Sequence, residues 1–213
     1  ISGHCIPTSN SWLQNLVDPL IDGLSGYSYG RQLGRDTTKF SEGQLFQKYF
    51  PDLSEIPQQG FFCNNANSAI SKKVWQKFKF NEEVTGLEDM ELAKRYVESG
   101  GSVAYISDAP VFHIHDETWA QTRRRYERES VALQVIMPEL RLSWLDMWRY
   151  ILVSVFRDTA VSFKRGLLHK NFFEIVSFRT AQYFGSYRGN QLLKAAADKR
   201  RESYFYPRDS FRK

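Results

Sequence analysis

The sequence predicts an α/β domain followed by a helical appendage, and three observations carry that expectation. Short β-rich runs at 26–31, 103–106 and 110–114 alternate with segments of helical periodicity at 11–20, 72–77, 88–99 and 117–133. Beyond Pro138 the pattern changes: Trp144, Trp148, Ile151, Leu152 and Val155 fall on one helical stripe, with Arg149, Arg157 and Lys164 off it. A chain of 213 residues, 42% hydrophobic, is long enough to bury one sizeable core and leave a smaller element over.

Each element has its own signal. Leu13, Leu16 and Val17 are helically spaced after Ser11, and Asp22-Gly23 stops that helix. The strand at 26–31 leads into a polar, Gly-punctuated stretch, 34–60, which reads as a loop with one helical turn at most. The asparagines of Phe61–Ile70 suit turn chemistry, and Ser71 is placed to cap the helix over 72–77. Leu92, Ala93, Tyr96 and Val97 share one face of the clearest helix, which ends at Gly100-Gly101. Val103–Ile106 and Pro110–Ile114 read as two strands divided by Ser107-Asp108, before a long polar-to-basic helix.

Composition narrows the class. No run approaches the roughly 18 apolar residues of a membrane-spanning helix. The two cysteines, Cys5 and Cys63, form neither a metal-type pair nor a disulfide framework, which points to a reducing compartment and a cytoplasmic location. Residues 141–213 carry 15 Lys+Arg against 6 Asp+Glu, a formal +9. Such a basic, aromatic tail suits either an anionic membrane surface or a lid packed on the main domain; no nucleic-acid motif accompanies it.

Three constellations could carry chemistry. Glu88-Asp89 opens a helix, where the N-terminal dipole favours ionised carboxylates, so the pair is either ordinary capping or a proton acceptor. His113 and His115 alternate on a strand and so share a face, fit for a metal ion if His4 supplies a third ligand, or simply packed. The Gln121–Tyr126 run holds three arginines whose planar forks suit phosphate oxygens, against a solvated basic face.

Taken in order, these segments resemble glycosyltransferase family 2, in particular bacterial rhamnosyltransferase-like and capsular or O-antigen polysaccharide enzymes. The residues are Ile1–Pro7 with Trp12-Leu13, Gly30–Gln32, Phe61–Ala69 with Trp75, Phe80–Glu82, Leu87–Asp89 with Ala93–Arg95, and Val111–His115; the tail through 178–189 is similar more loosely. The resemblance implies the C-terminal part of a GT-A, Rossmann-like domain over 1–137, holding the acceptor and diphosphate side, with a basic amphipathic helical region over 138–213. It further implies that a nucleotide-binding half precedes Ile1 and that this piece alone has little transferase activity.

The function implied is inverting transfer of a sugar from a nucleotide-sugar donor to a hydroxyl of a surface-polysaccharide acceptor, lipid-linked and met at the cytoplasmic membrane face. In that reading Asp89 is the general base and Glu88 its assistant. His4, Ser2, His115, Arg124 and Arg31 lie on the donor and diphosphate side, and Asn65, Asn67 and Phe62 line the acceptor and sugar site. The family's Asp-x-Asp is replaced by Ser2-Gly3-His4. Two alternatives follow: His4 and His115 hold Mn²⁺ or Mg²⁺, or arginines take over the diphosphate without a metal. A non-catalytic glycan-binding or scaffold protein derived from a transferase is the competing function; a His-x-His metal hydrolase would need further ligands.

Overall fold

The computed structural model describes residues 1–84 and 86–205, with side chains through residue 192. Among the described residues the chain is mixed α/β, with a four-stranded sheet and seven α-helices. The strands are β1 (Cys5–Pro7), β2 (Tyr27–Leu33), β3 (Ser68–Ile70) and β4 (Val103–His113), in the order β1-β4-β2-β3. β4 runs parallel to β2 and antiparallel to β1, and β3 is antiparallel to β2. The helices are α1 (Trp12–Ile21), α2 (Phe40–Tyr49), α3 (Lys72–Lys77), α4 (Glu88–Glu98), α5 (Trp119–Ile136), α6 (Trp144–Lys164) and α7 (Leu168–Phe205).

Alternation along β4 divides the core between the two sheet faces. Val103 and Tyr105 pack with Tyr27, Tyr29, Phe46, Phe50, Cys63, Leu92 and Ala93, whereas Ala104 and Ile106 meet Leu16 of α1 on the other face. Ser71 caps α3 as its sequence suggests, its side chain accepting from the Val74 N–H.

Two expectations need correction. The stretch 34–60 is not merely a loop, because it contains the ten-residue helix α2. Its buried face is half polar, presenting Ser41 and Glu42 beside Phe46, so no apolar stripe betrays it in the sequence. The runs 103–106 and 110–114 are one strand. Gly30 pairs with Ile106 and Gln32 with Val111, so residues 107–110 form a bulge within β4. The Asn67 amide fills that bulge, donating to the Ala109 carbonyl at 2.7 Å and the Arg31 carbonyl at 3.2 Å while accepting from Trp12 Nε1 at 2.8 Å. Gly30 is required beside it, since a Cβ there would collide with the Ala109 carbonyl and the Asn67 amide.

The helical tail is a hairpin. α6 closes in a Schellman turn, with Gly166 at φ +70° and the Leu167 N–H bonded to the Ser162 carbonyl. α7 then packs along α5, and a buried Asp158–Arg179 ion pair at 2.7 Å, with Ser41 Oγ donating to Asp158 at 2.5 Å, ties α6 and α7 to α2. The predicted stripe splits: Ile151 is buried, with Met147, while Trp144, Trp148 and Leu152 face outward. No described helix is long and apolar enough to cross a membrane.

Candidate functional site

The topology fixes where a site can form. β2 and β4 are parallel, so their carboxyl ends share one edge of the sheet, and antiparallel β1 begins at that same edge. Ligands in open α/β sheets bind outside such strand ends. Here the edge brings together His4, just before β1, His113 at the end of β4, His115 two residues on, and Gln32 near the end of β2.

One ring nitrogen from each of His4, His113 and His115 lies within 4.8 Å of the others. The remaining ring atoms show which nitrogens are free. Gln32 donates through Nε2 to Asn64 Oδ1 at 2.8 Å, so its Oε1 faces His113 Nδ1, 2.5 Å away, and that nitrogen must carry the proton. His115 Nδ1 likewise meets the buried Glu42 carboxylate at 2.8 Å. The His113 and His115 rings are thus each held at Nδ1 with Nε2 turned away from that partner, the arrangement in which outer partners orient metal-binding histidines. His4 Nε2 stands 2.9 Å from His113 Nε2, and Ser2 Oγ lies 3.0 Å from His4 Nδ1. A single proton on His4 Nε2 satisfies that contact.

Burial, reinforced by the neighbouring His115 and His4, pulls His113 down to about 3; burial and His115 lower His4 as well. Rings that resist protonation remain ligands at neutral pH. The cluster could hold a metal ion, and its three imidazole donors without a carboxylate fit a borderline transition ion better than Mg²⁺.

Asp89 opens into the same cleft, a space of about 510 Å³ that Ser2, His4, Asn65, Glu88, His113, His115 and Arg128 also line. Its place is set by the start of α4, where Gly86 at φ +136° and Leu87 at φ +53° turn the chain sharply before Glu88. A left-handed leucine is uncommon and costs about 1 kcal/mol or more, backbone strain of the kind found beside functional sites. Asp89 is 7% exposed; Oδ2 accepts from the Asn65 N–H at 2.6 Å and Oδ1 from the Met90 N–H at 2.8 Å. Burial pushes its carboxyl up to about 6, against the pull of those two amides. Each oxygen keeps a free lone pair. The carboxylate is thus ionised at neutral pH yet basic enough to take a proton.

Four residues expected at the site lie elsewhere. Asn67 is fully buried in the β4 bulge with both ends of its amide engaged, so it has no group to offer a ligand. Phe62 packs against Tyr29, Tyr49 and Phe50 in the core. Arg31 pairs with Asp52 and lines a separate pocket against α2. Arg124 points to solvent, because the arginines reaching the cleft are its helical neighbours Arg125 and Arg128. Asn65 does line the cleft, although its Oδ1 already accepts from Tyr27 and Ser68, leaving its amide N–H groups for a ligand.

Several participants escaped the sequence. Glu42 lies on the unforeseen helix α2 and accepts from both His115 and Arg125. Arg125 also bonds Glu117 and so is neutralised, whereas Arg128 makes no ion pair among the described residues. Glu129 lines the cleft and a second groove of about 400 Å³, which shares Leu87 with it and carries Tyr126, Tyr150 and Tyr183. The helical residues among these come from four helices, α2, α5, α6 and α7, and no local spacing joins them.

In comparisons with known proteins, no family model matches this chain and no curated protein sequence matches it.

Proposed function

We propose that the protein is an inverting glycosyltransferase, of the family 2, GT-A kind, that moves a sugar from a nucleotide-sugar donor to a hydroxyl of a glycan acceptor. The observation that carries the reading is the basic, buried Asp89 opening into one cleft with three histidines able to hold a metal ion. In the reaction an acceptor O–H gives its proton to Asp89 as its oxygen bonds to the anomeric carbon. The bond from that carbon to the diphosphate breaks on the opposite face, and the nucleoside diphosphate leaves.

The chain's own groups divide the work. The Asn65 and Met90 amides hold Asp89 with a lone pair toward the cleft. Gln32 and Glu42 hold the His113 and His115 rings, and Arg128 offers a cation to phosphate oxygens. A bound divalent transition ion, held by His4, His113 and His115, would supply positive charge against the departing diphosphate. The groove joined to the cleft, with Tyr126, Tyr150 and Tyr183 in its lining, offers an acceptor glycan a place to lie.

The test is nucleoside-diphosphate release from UDP-, GDP- and dTDP-hexoses by the protein at its native length, with Mn²⁺ and glycan acceptors, comparing wild type with Asp89→Asn. The reading expects release from one donor class and a loss of about 100-fold or more in the variant. Binding of glycan without turnover, or equal rates in the two proteins, would reject it in favour of a glycan-binding role.

A further inference from the structure

α6 carries an apolar face that nothing among the described residues covers. Trp144, Leu145, Trp148, Leu152, Phe156 and Phe163 are between 44% and 75% exposed and follow one another at helical spacing along the outer side. The surface continues around the Gly166 turn to Phe173, 81% exposed at the start of α7. Isolated exposed apolar residues are ordinary, but a contiguous strip of indole and phenyl rings along a 21-residue helix is not.

The border of the strip is cationic. Arg149, Arg157 and Lys164 recur along one flank of α6, and Arg165 and Lys170 stand at the turn, all exposed. Of the two acids of α6, Asp158 is buried against Arg179, and Asp146, which accepts from the Ser143 cap, offsets only Arg149 at the start of the helix. An apolar face edged with arginine and lysine matches an anionic bilayer surface, where rings enter the interface and cations meet lipid phosphates. The helix is not apolar enough to cross the bilayer, so it would lie along it. A protein partner would need no such segregation of charge.

We propose that the outer face of α6, with the α6–α7 turn, docks on anionic membrane surfaces. The claim does not rest on the transferase reading. It is tested by flotation with vesicles of phosphatidylcholine alone and with about one third phosphatidylglycerol. The comparison is wild type against Leu152→Ser/Phe156→Ser and Arg157→Glu/Lys164→Glu, each checked for an unchanged circular dichroism spectrum and melting temperature. Because the substituted side chains face outward, folding should be unaffected.

Wild type should float with the anionic vesicles. Removing the two apolar side chains should weaken binding by at least about tenfold, and charge reversal by about fivefold per cation, the latter effect vanishing in high salt. Failure of the wild type to float, flotation that both variants retain, or a concentration-dependent dimer abolished by Leu152→Ser/Phe156→Ser without any vesicle binding would each overturn it.

Discussion

Asp89 shows how one carboxyl group is tuned by where the backbone places it. Two backbone N–H groups stabilise its charge, and burial outweighs them, leaving the group near 6 rather than its ordinary 3.8. Linkage fixes the sign of the consequence. A carboxyl raised in the folded state contributes stability below pH 3.8 and loses it as pH rises from there through 6. The difference in unfolding free energy between Asp89→Asn and wild type should therefore move by about 3 kcal/mol in the variant's favour across that window, whatever its starting offset. Urea melts of both proteins from pH 4 to 7.5 measure it, and a flat difference would mean that burial does not raise this carboxyl. The histidines depend on neighbours in the same way. Replacing Gln32 by Leu frees the His113 ring to turn, so Co²⁺ affinity followed by visible absorption should fall by 10- to 100-fold. Mg²⁺ should compete for that site poorly.

At the scale of elements, the contrast between Asn67 and Asn65 separates structure from site. Both lie in the same short turn, but Asn67 closes the β4 bulge and Asn65 holds Asp89 through its backbone. Asn67→Ala would leave Trp12 Nε1 and the Ala109 carbonyl unpartnered, and should cost about 2–4 kcal/mol in thermal or urea unfolding without altering the metal affinity of the folded protein. The helices α1 and α4 were legible from apolar spacing and α3 from its Ser71 cap, all local signals. The helix α2 was not, since its buried Ser41 and Glu42 are satisfied only by Asp158, His115 and Arg125 from distant parts of the chain. The bulge in β4 was mistaken for a strand break for the same reason: Ser107–Pro110 reads locally as a turn, and only pairing with β2 and the Asn67 plug keeps the strand continuous.

On the scale of the whole molecule, residue types at telling positions were easier to read than their arrangement. His4, His113, His115 and Asp89 were readable as residue types at telling positions, and parallel pairing of β2 with β4 is what gathers them at one sheet edge. Arg124, Arg31, Phe62 and Asn67 were misplaced because direction from the backbone, rather than identity, decides which side chains enter a cleft. Charge segregation, by contrast, was visible from the start: the part of the basic tail through residue 192 forms a helical hairpin whose cations border its exposed rings, and the remaining cations of the tail, at 194–213, lie outside the described side chains. The cleft and that hairpin face are joined by α5 and α7, so a protein resting on α6 would keep the groups of its cleft fixed relative to the surface it rests on.

The pH dependence of nucleoside-diphosphate release under Mn²⁺ saturation bears on the mechanism most directly. Wild type should gain activity as pH rises through about 6, tracking ionisation of Asp89, and Asp89→Asn should show no such limb and a residual rate at least about 100-fold lower. An unchanged limb in the variant, with its rate intact, would mean that the acceptor proton goes to some other group.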